Sequence, residues 1–205
     1  MTMSSTAAPV PYRARTRCAM LIALALPMLS GAASLSGAAS LSGAAGEPPP
    51  GAAATTLSRL PPSWRDDRGE TLQLQALRGA PIFVTMAYTS CHRICPMTIA
   101  RLEELQSDLD ARGLSAEFLV VSYDPDNDGS NAWRQYRTRH HLLRDNWHFL
   151  SGTAADTERL ARVLGFEFWR DGEHIMHDYR IVALDRDGAQ CGIIDSIHRD
   201  WRNLP

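Results

Sequence analysis

No lysine occurs anywhere in the 205 residues. That absence excludes Schiff-base chemistry and a phosphate-loop lysine, and leaves arginine to supply every fixed positive charge. The arginines gather into no basic stretch, so an electrostatic footprint for nucleic acid is missing too. No run of about 20 strongly apolar residues is present, the length a membrane-spanning helix needs. Cysteine is scarce: four residues, Cys18, Cys91, Cys95 and Cys191, of which two stand close together. The hydrophobic share, 44%, and the net charge of -2 are those of an ordinary soluble domain.

The first part of the chain reads as targeting rather than fold. Arg13, Arg15 and Arg17 form a basic n-region, and Cys18 to Leu29 is a short apolar run carrying Leu21, Ile22, Leu24, Leu26 and Leu29. Ser30-Gly31-Ala32 offers a small-residue cleavage context. Residues 1–33 are therefore expected to be a signal peptide, or alternatively an uncleaved N-terminal anchor. No Cys stands where a lipoprotein signal needs one, and Arg-x-Arg-x-Arg is not a twin-arginine pair. Residues 34–62 repeat Ser-Leu-Ser-Gly-Ala-Ala and end in a Pro-rich stretch, a low-complexity flexible linker. The folded domain is expected over 63–205, exported to an oxidising, extracytoplasmic compartment such as a periplasm.

Within that domain, strand-like and helix-like patterns alternate. Pro81–Tyr88 and Glu117–Tyr123 are continuous apolar, β-branched runs suited to strands buried on both faces. Between them Ile99, Leu102, Leu105 and Leu109 keep helical spacing from Pro96 until Gly113. Ser130–His141 and Thr153–Leu164 read as helices, Trp147–Leu150 as a strand. Tyr179–Leu184 and Gln190–Ile194 flank the turn signal Asp185-Arg186-Asp187-Gly188. A βαβαβαββ order of this kind fits an α/β, thioredoxin-like fold, a mixed sheet flanked by helices and closed by a C-terminal hairpin.

Cys91 and Cys95 fall where the first strand gives way to its helix, in Cys91-His92-Arg93-Ile94-Cys95-Pro96. At that spacing the two thiols meet on one face of a helix start, where a thiolate is stabilised. As mere core they would be small hydrophobes, but His92, Arg93 and Pro96 in the same segment do not suit a core. Two thiolates alone make a poor zinc site and suit Cu(I), which accepts two or three soft donors. A third donor would be one of His92, His140, His141, His148, His174, His177 and His198. His174 and His177 lie three apart on extended chain, so they face opposite ways and do not chelate one ion. His177, at the entrance to the final hairpin, is the better single ligand; otherwise it is a surface histidine.

Four ordered segments resemble the Sco/SenC family, copper proteins that mature cytochrome c oxidase. Cys91-His92-Arg93-Ile94-Cys95-Pro96 looks like the family's Cys-x-x-x-Cys-Pro, and Ser122-Tyr123-Asp124-Pro125-Asp126-Asn127-Asp128 is similar to its Ser-x-Asp-Pro-x-x-Asp. His148–Gly152 resembles a later Leu-Thr-Gly step, and His177 to Asp185 its His-Ser stretch ending in Leu-x-Asp. The likeness runs from about Ser63 to Ile194. It implies Cys91, Cys95 and His177 as ligands of a copper ion. It also implies a pathway that delivers copper to, or reduces the thiols of, the oxidase CuA site. The partner is then the CuA-bearing subunit of cytochrome c oxidase or another periplasmic copper protein, with a membrane tether through the N-terminus.

Two departures stand out. His92-Arg93 replaces the usual Pro-Asp, putting a base where an acid stood, which is expected to lower the thiol pKa values. Asp178 replaces the usual Ser and is expected to orient the imidazole. Other uses of the same residues compete. Cys91 and Cys95 can act as the redox pair of a thiol–disulfide oxidoreductase, or of a redox or copper sensor. Asp124–Gly129 matches half a calcium loop, but Gln135 stands where the bidentate carboxylate belongs. A peroxiredoxin reading lacks its threonine, because His92 occupies that position. Cys191, on the last hairpin strand beside Ile193 and Ile194, is expected to be a buried hydrophobe, the alternative being a resolving thiol.

Overall fold

The computed structural model describes residues 55–196. The segment expected to be a signal peptide, most of the expected linker and His198 lie outside them. The core is built on two runs already visible as buried strands. Ile82–Ala87 (β3) has all six residues buried, and Glu117–Ser122 (β4) all but its first. They pair in parallel, Ile82 opposite Glu117 through Ala87 opposite Ser122. Parallel neighbours need a crossover, which Ile94–Ala111 (α2) supplies with Ile99, Leu102, Leu105 and Leu109 turned to the sheet. Gly113, at φ 65°, ends that crossover, as its position predicts. Trp147–Ser151 (β5) adds a third parallel strand beside β4, joined through Ser130–Arg139 (α3).

The remaining strands run antiparallel at the flanks. Ile181–Leu184 (β8) pairs with β3, and Gln190–Ile194 (β9) pairs with β8, which is the expected closing hairpin. On the other side Ser63–Asp66 (β1) pairs with β5, and Thr71–Gln73 (β2) with β1. The sheet order is β2-β1-β5-β4-β3-β8-β9. Ala154–Leu164 (α4) begins on a reciprocal capping box between Thr153 and Asp156 and stops at Gly165, φ 76°. The core also takes in Leu57 and Leu60, ahead of Ser63, from a single helical turn at Thr56–Arg59 (α1). This mixed sheet, flanked by helices and closed by a hairpin, is the expected thioredoxin-like arrangement.

One element differs from the expected order. Phe168–Asp171 (β6) and His174–His177 (β7) form a separate two-stranded hairpin inserted between α4 and β8. Its two-residue turn starts at Gly172, φ 62°, where such turns favour glycine. His177 therefore sits on a strand rather than on a loop. The hairpin lies against the carboxyl ends of β3 and β4, the edge of an open α/β sheet where ligands bind.

Candidate metal centre

β3 delivers its chain to the site through a tight turn in which the Cys91 N–H donates to the Tyr88 carbonyl at 3.1 Å. Cys95 then enters α2 as its second residue, and its backbone N–H donates to the Cys91 sulfur at 3.4 Å. An amide at a helix start is an unpaired donor, and here it is spent on a thiol. Both cysteines are free and buried.

From the far side, β7 brings His177. Its strand alternates, with His174 and Met176 exposed and Ile175 and His177 buried, so the two histidines do face opposite ways. Nε2 of His177 lies 3.4 Å from the Cys95 sulfur and 3.8 Å from the Cys91 sulfur. Nδ1 lies 2.8 Å from the Asp178 carbonyl oxygen. A carbonyl only accepts, so Nδ1 carries the proton, and in the neutral ring the Nε2 lone pair faces the two sulfurs. The orienting role expected of the Asp178 side chain is thus filled by its main chain. Its carboxylate instead accepts from Arg180 Nε at 2.9 Å and from the Tyr123 hydroxyl at 3.5 Å.

Two aromatic residues hold the imidazole in place. Tyr123 stacks on it, with centroids 4.7 Å apart, and Tyr88 meets it edge-on at 5.9 Å. The Tyr88 hydroxyl also donates to the Ile175 carbonyl at 3.2 Å, fastening β7 to the end of β3. Arg170 of β6 pairs with Asp124 at 2.7 Å, tying the hairpin's other strand to the loop after β4. Neither tyrosine is marked in the sequence beyond closing a buried strand.

The two thiols are not equivalent. The Cys91 pKa falls to about 3: the Cys95 thiol, the Nε2–H that His177 carries when its ring is protonated, and the backbone N–H groups of Arg93 and Cys95 donate to its sulfur and outweigh burial. Burial pushes Cys95 the other way, well above the usual range, and the neighbouring Cys91 charge adds to it. Burial would lower His177, but its bonds to the Cys91 sulfur and the Asp178 carbonyl outweigh that and raise it. Arg93 therefore acts on Cys91 through its main chain; its exposed guanidinium is not among the causes. The resting pair is a thiolate at Cys91 and a thiol at Cys95.

Cys91 Sγ, Cys95 Sγ and the His177 nitrogen all lie within 4.8 Å of one another, the one such donor cluster among the described residues. Bonds of about 2.3 Å to sulfur and about 2.0 Å to nitrogen, the lengths zinc shows, would space trigonal donors by roughly 3.7–4 Å. The observed sulfur–nitrogen separations are close to that. The donor set, two sulfurs and one imidazole, is soft and suits Cu(I). Of the other candidate donors, His92, His140, His141 and His174 are exposed, and His148 is paired with Glu117 at 2.8 Å. The half calcium loop is taken up elsewhere. Asp124 faces Arg170 and Asn127, and Asp128 is turned inward. Cys191 packs, partly buried, against the core.

A buried dithiol at a helix start with an imidazole aimed at it, on a thioredoxin-like sheet, defines a class of thiol proteins able to hold a soft metal. Comparison narrows it: the family model described as SCO1/SenC matches residues 61–202, and the chain belongs to that family. A SCO1 protein homolog of Bacillus subtilis (strain 168) is 29% identical over 92 residues, 45% of this chain and 48% of its own length. The matched segment thus spans about half of that relative. Arabidopsis thaliana ScoI, solved with copper bound, superposes with TM-score 0.60 at 16% identity, covering 67% of this chain and 87% of its own. BsSco, described as a member of the Sco family of cytochrome c oxidase assembly proteins with a disulfide switch, gives TM-score 0.59 at 22% identity, covering 67% and 82%. At these identities the two structures speak for the fold alone.

Proposed function

We propose that this chain is an exported metallochaperone that carries one copper ion on Cys91, Cys95 and His177 and passes it to the CuA site of cytochrome c oxidase. The observation that carries this reading is the position of His177 Nε2, turned toward both sulfurs by the bond from Nδ1 to the Asp178 carbonyl. A surface histidine has no reason to be buried, stacked on one tyrosine, met edge-on by another and aimed at a dithiol. Copper here is cargo. Cys91 offers a ready thiolate, while Cys95 and His177 give up protons as they bind. Transfer to a partner's Cys/His cluster proceeds by ligand exchange, one donor at a time. The copper-bound relative supports the choice of metal, and the description of BsSco as a cytochrome c oxidase assembly protein supports the choice of client. The proposed leader (1–33) and the linker after it, which ends short of the core residues Leu57 and Leu60, would deliver the domain to the periplasm and leave it free, or tethered to the membrane.

A second reading, thiol–disulfide exchange with the same pair, is favoured by the thiolate–thiol asymmetry. Cys91 would attack a client disulfide and Cys95 resolve the mixed disulfide. Copper(I) titration against a chromogenic chelator separates the two. Uptake of one ion per chain is expected, lost in Cys91→Ser and Cys95→Ser and weakened at least 10–100-fold in His177→Ala, the scale seen even for residues that only hydrogen-bond to a ligand. Equal affinity in all four proteins would sink the chaperone reading. Unimpaired disulfide exchange in His177→Ala alongside it would leave the oxidoreductase.

A further inference from the structure

Asp128, the last acid of the half calcium loop, is only 1% exposed, and neither the metal nor the redox reading uses it. A buried carboxylate is costly unless its oxygens are paired, so its partners show what it is for. Oδ1 accepts from both the backbone N–H of Thr89, at 3.0 Å, and the Thr89 hydroxyl, at 2.6 Å. Oδ2 accepts from the Ser122 hydroxyl at 2.6 Å. The Asp128 carbonyl accepts from the Ser151 hydroxyl, which in turn accepts from the Trp133 indole at 2.9 Å. Thr89 follows β3, Ser122 ends β4 and Ser151 ends β5. One residue thus joins the carboxyl ends of all three parallel strands.

The Thr89 bonds bear on the site most directly. Thr89 lies inside the tight turn Tyr88–Cys91 that sets where the Cys91 sulfur stands relative to Cys95 and His177. Three donors on three separate elements need placement within about 0.5 Å to act together. We propose that Asp128 is a positioning residue for the dithiol: through Thr89 it fixes the Cys91 turn, and so sets both the metal affinity and the effective concentration of Cys91 toward Cys95. The affinity half of this rests on the metal-site reading above; the second half does not.

The test uses the full chain in a Cys18→Ser, Cys191→Ser background, so that only the pair reports. Thr89→Val removes the hydroxyl at nearly constant volume, Thr89→Ser keeps it, and Asp128→Asn weakens both Thr89 bonds; Ser122→Ala removes the bond to the far oxygen and the one its hydroxyl accepts from the Asp124 N–H at 2.8 Å, but leaves both Thr89 bonds. Two readouts are taken, with thermal unfolding alongside. They are the Cu(I) dissociation constant in competition with a chelator, and the metal-free disulfide equilibrium with glutathione. Thr89→Val and Asp128→Asn are expected to bind Cu(I) about tenfold more weakly. They are also expected to form the disulfide about tenfold less favourably, which is about 30 mV in potential. Thr89→Ser should stay within about twofold of the parent in both. Ser122→Ala should lose stability without a matching change in either. Parental values in Thr89→Val would overturn the proposal, as would an equal loss in Thr89→Ser or Ser122→Ala. If Asp128→Asn does not fold, Thr89→Val decides alone. If the parent takes up no Cu(I), the metal reading fails and the glutathione equilibrium still judges the positioning role.

Discussion

The division of labour between the two thiols makes a prediction that runs against intuition. Cys91 is held as a thiolate with a pKa of about 3, so its reaction with iodoacetamide should hardly depend on pH between about 8 and 4.5. It should not, however, be fast at neutral pH. An ordinary thiol with a pKa near 8.5 is about 3% ionised at pH 7, so Cys91 has roughly a 30-fold advantage in thiolate. Nucleophilicity falls with basicity at a Brønsted slope of about 0.4–0.5, which over this pKa gap costs roughly 150–600-fold. Cys91 is then slower than a reference thiol at pH 7 by roughly 5–20-fold. At pH 5 the reference has lost a further factor of about 100, and the order reverses by a similar margin. Burial slows Cys91 at every pH but leaves the shape unchanged. Tryptic digestion cleaves after Arg93, putting Cys91 and Cys95 on different peptides, so mass spectrometry reads each rate separately. A Cys91 rate that drops tenfold for each pH unit below 8 would refute the thiolate assignment.

Other consequences are simpler to state. Cu(I) uptake at pH 7 should release between one and two protons, one from Cys95 and a share from His177. Because both pKa values are raised, affinity should weaken as pH falls. Calorimetry in two buffers of different ionisation enthalpy measures this, and zero release would contradict a protonated Cys95 in the metal-free protein. Gly152→Ala would place a Cβ at 2.7 and 2.9 Å from two Trp64 ring carbons, so it should destabilise by about 1–3 kcal/mol. Thermal unfolding with a Tm equal to wild type would show that Trp64 yields more easily than its full burial implies.

The parts legible in the sequence were those with a strong local signature. β3 and β4 are unbroken apolar runs, and α4 has its capping residue and its terminal glycine written out. Strand alternation excluded joint chelation by His174 and His177, and the burial pattern of β7 agrees; His177 was preferred for its place before the final hairpin. The β6–β7 hairpin was missed because Phe168–Asp171 is largely exposed and shows no apolar alternation. Only Asp171-Gly172 hinted at a turn. β1 and β2 are three or four residues long, too short for a period, and β1 is placed by its long-range pairing with β5. The roles of Asp178 and Arg93 were unreadable for a different reason. Both act through the main chain, where side-chain identity carries no information. Asp128 was discounted with a calcium loop, since nothing local shows that its carboxylate turns inward to Thr89.

The most direct test of copper binding by Cys91, Cys95 and His177 is X-ray absorption at the copper edge of the Cu(I)-loaded chain. Two sulfurs and one imidazole nitrogen are predicted around the metal, with the nitrogen scattering lost in His177→Ala. Sulfur alone around copper in the wild-type protein, unchanged by that substitution, would contradict it.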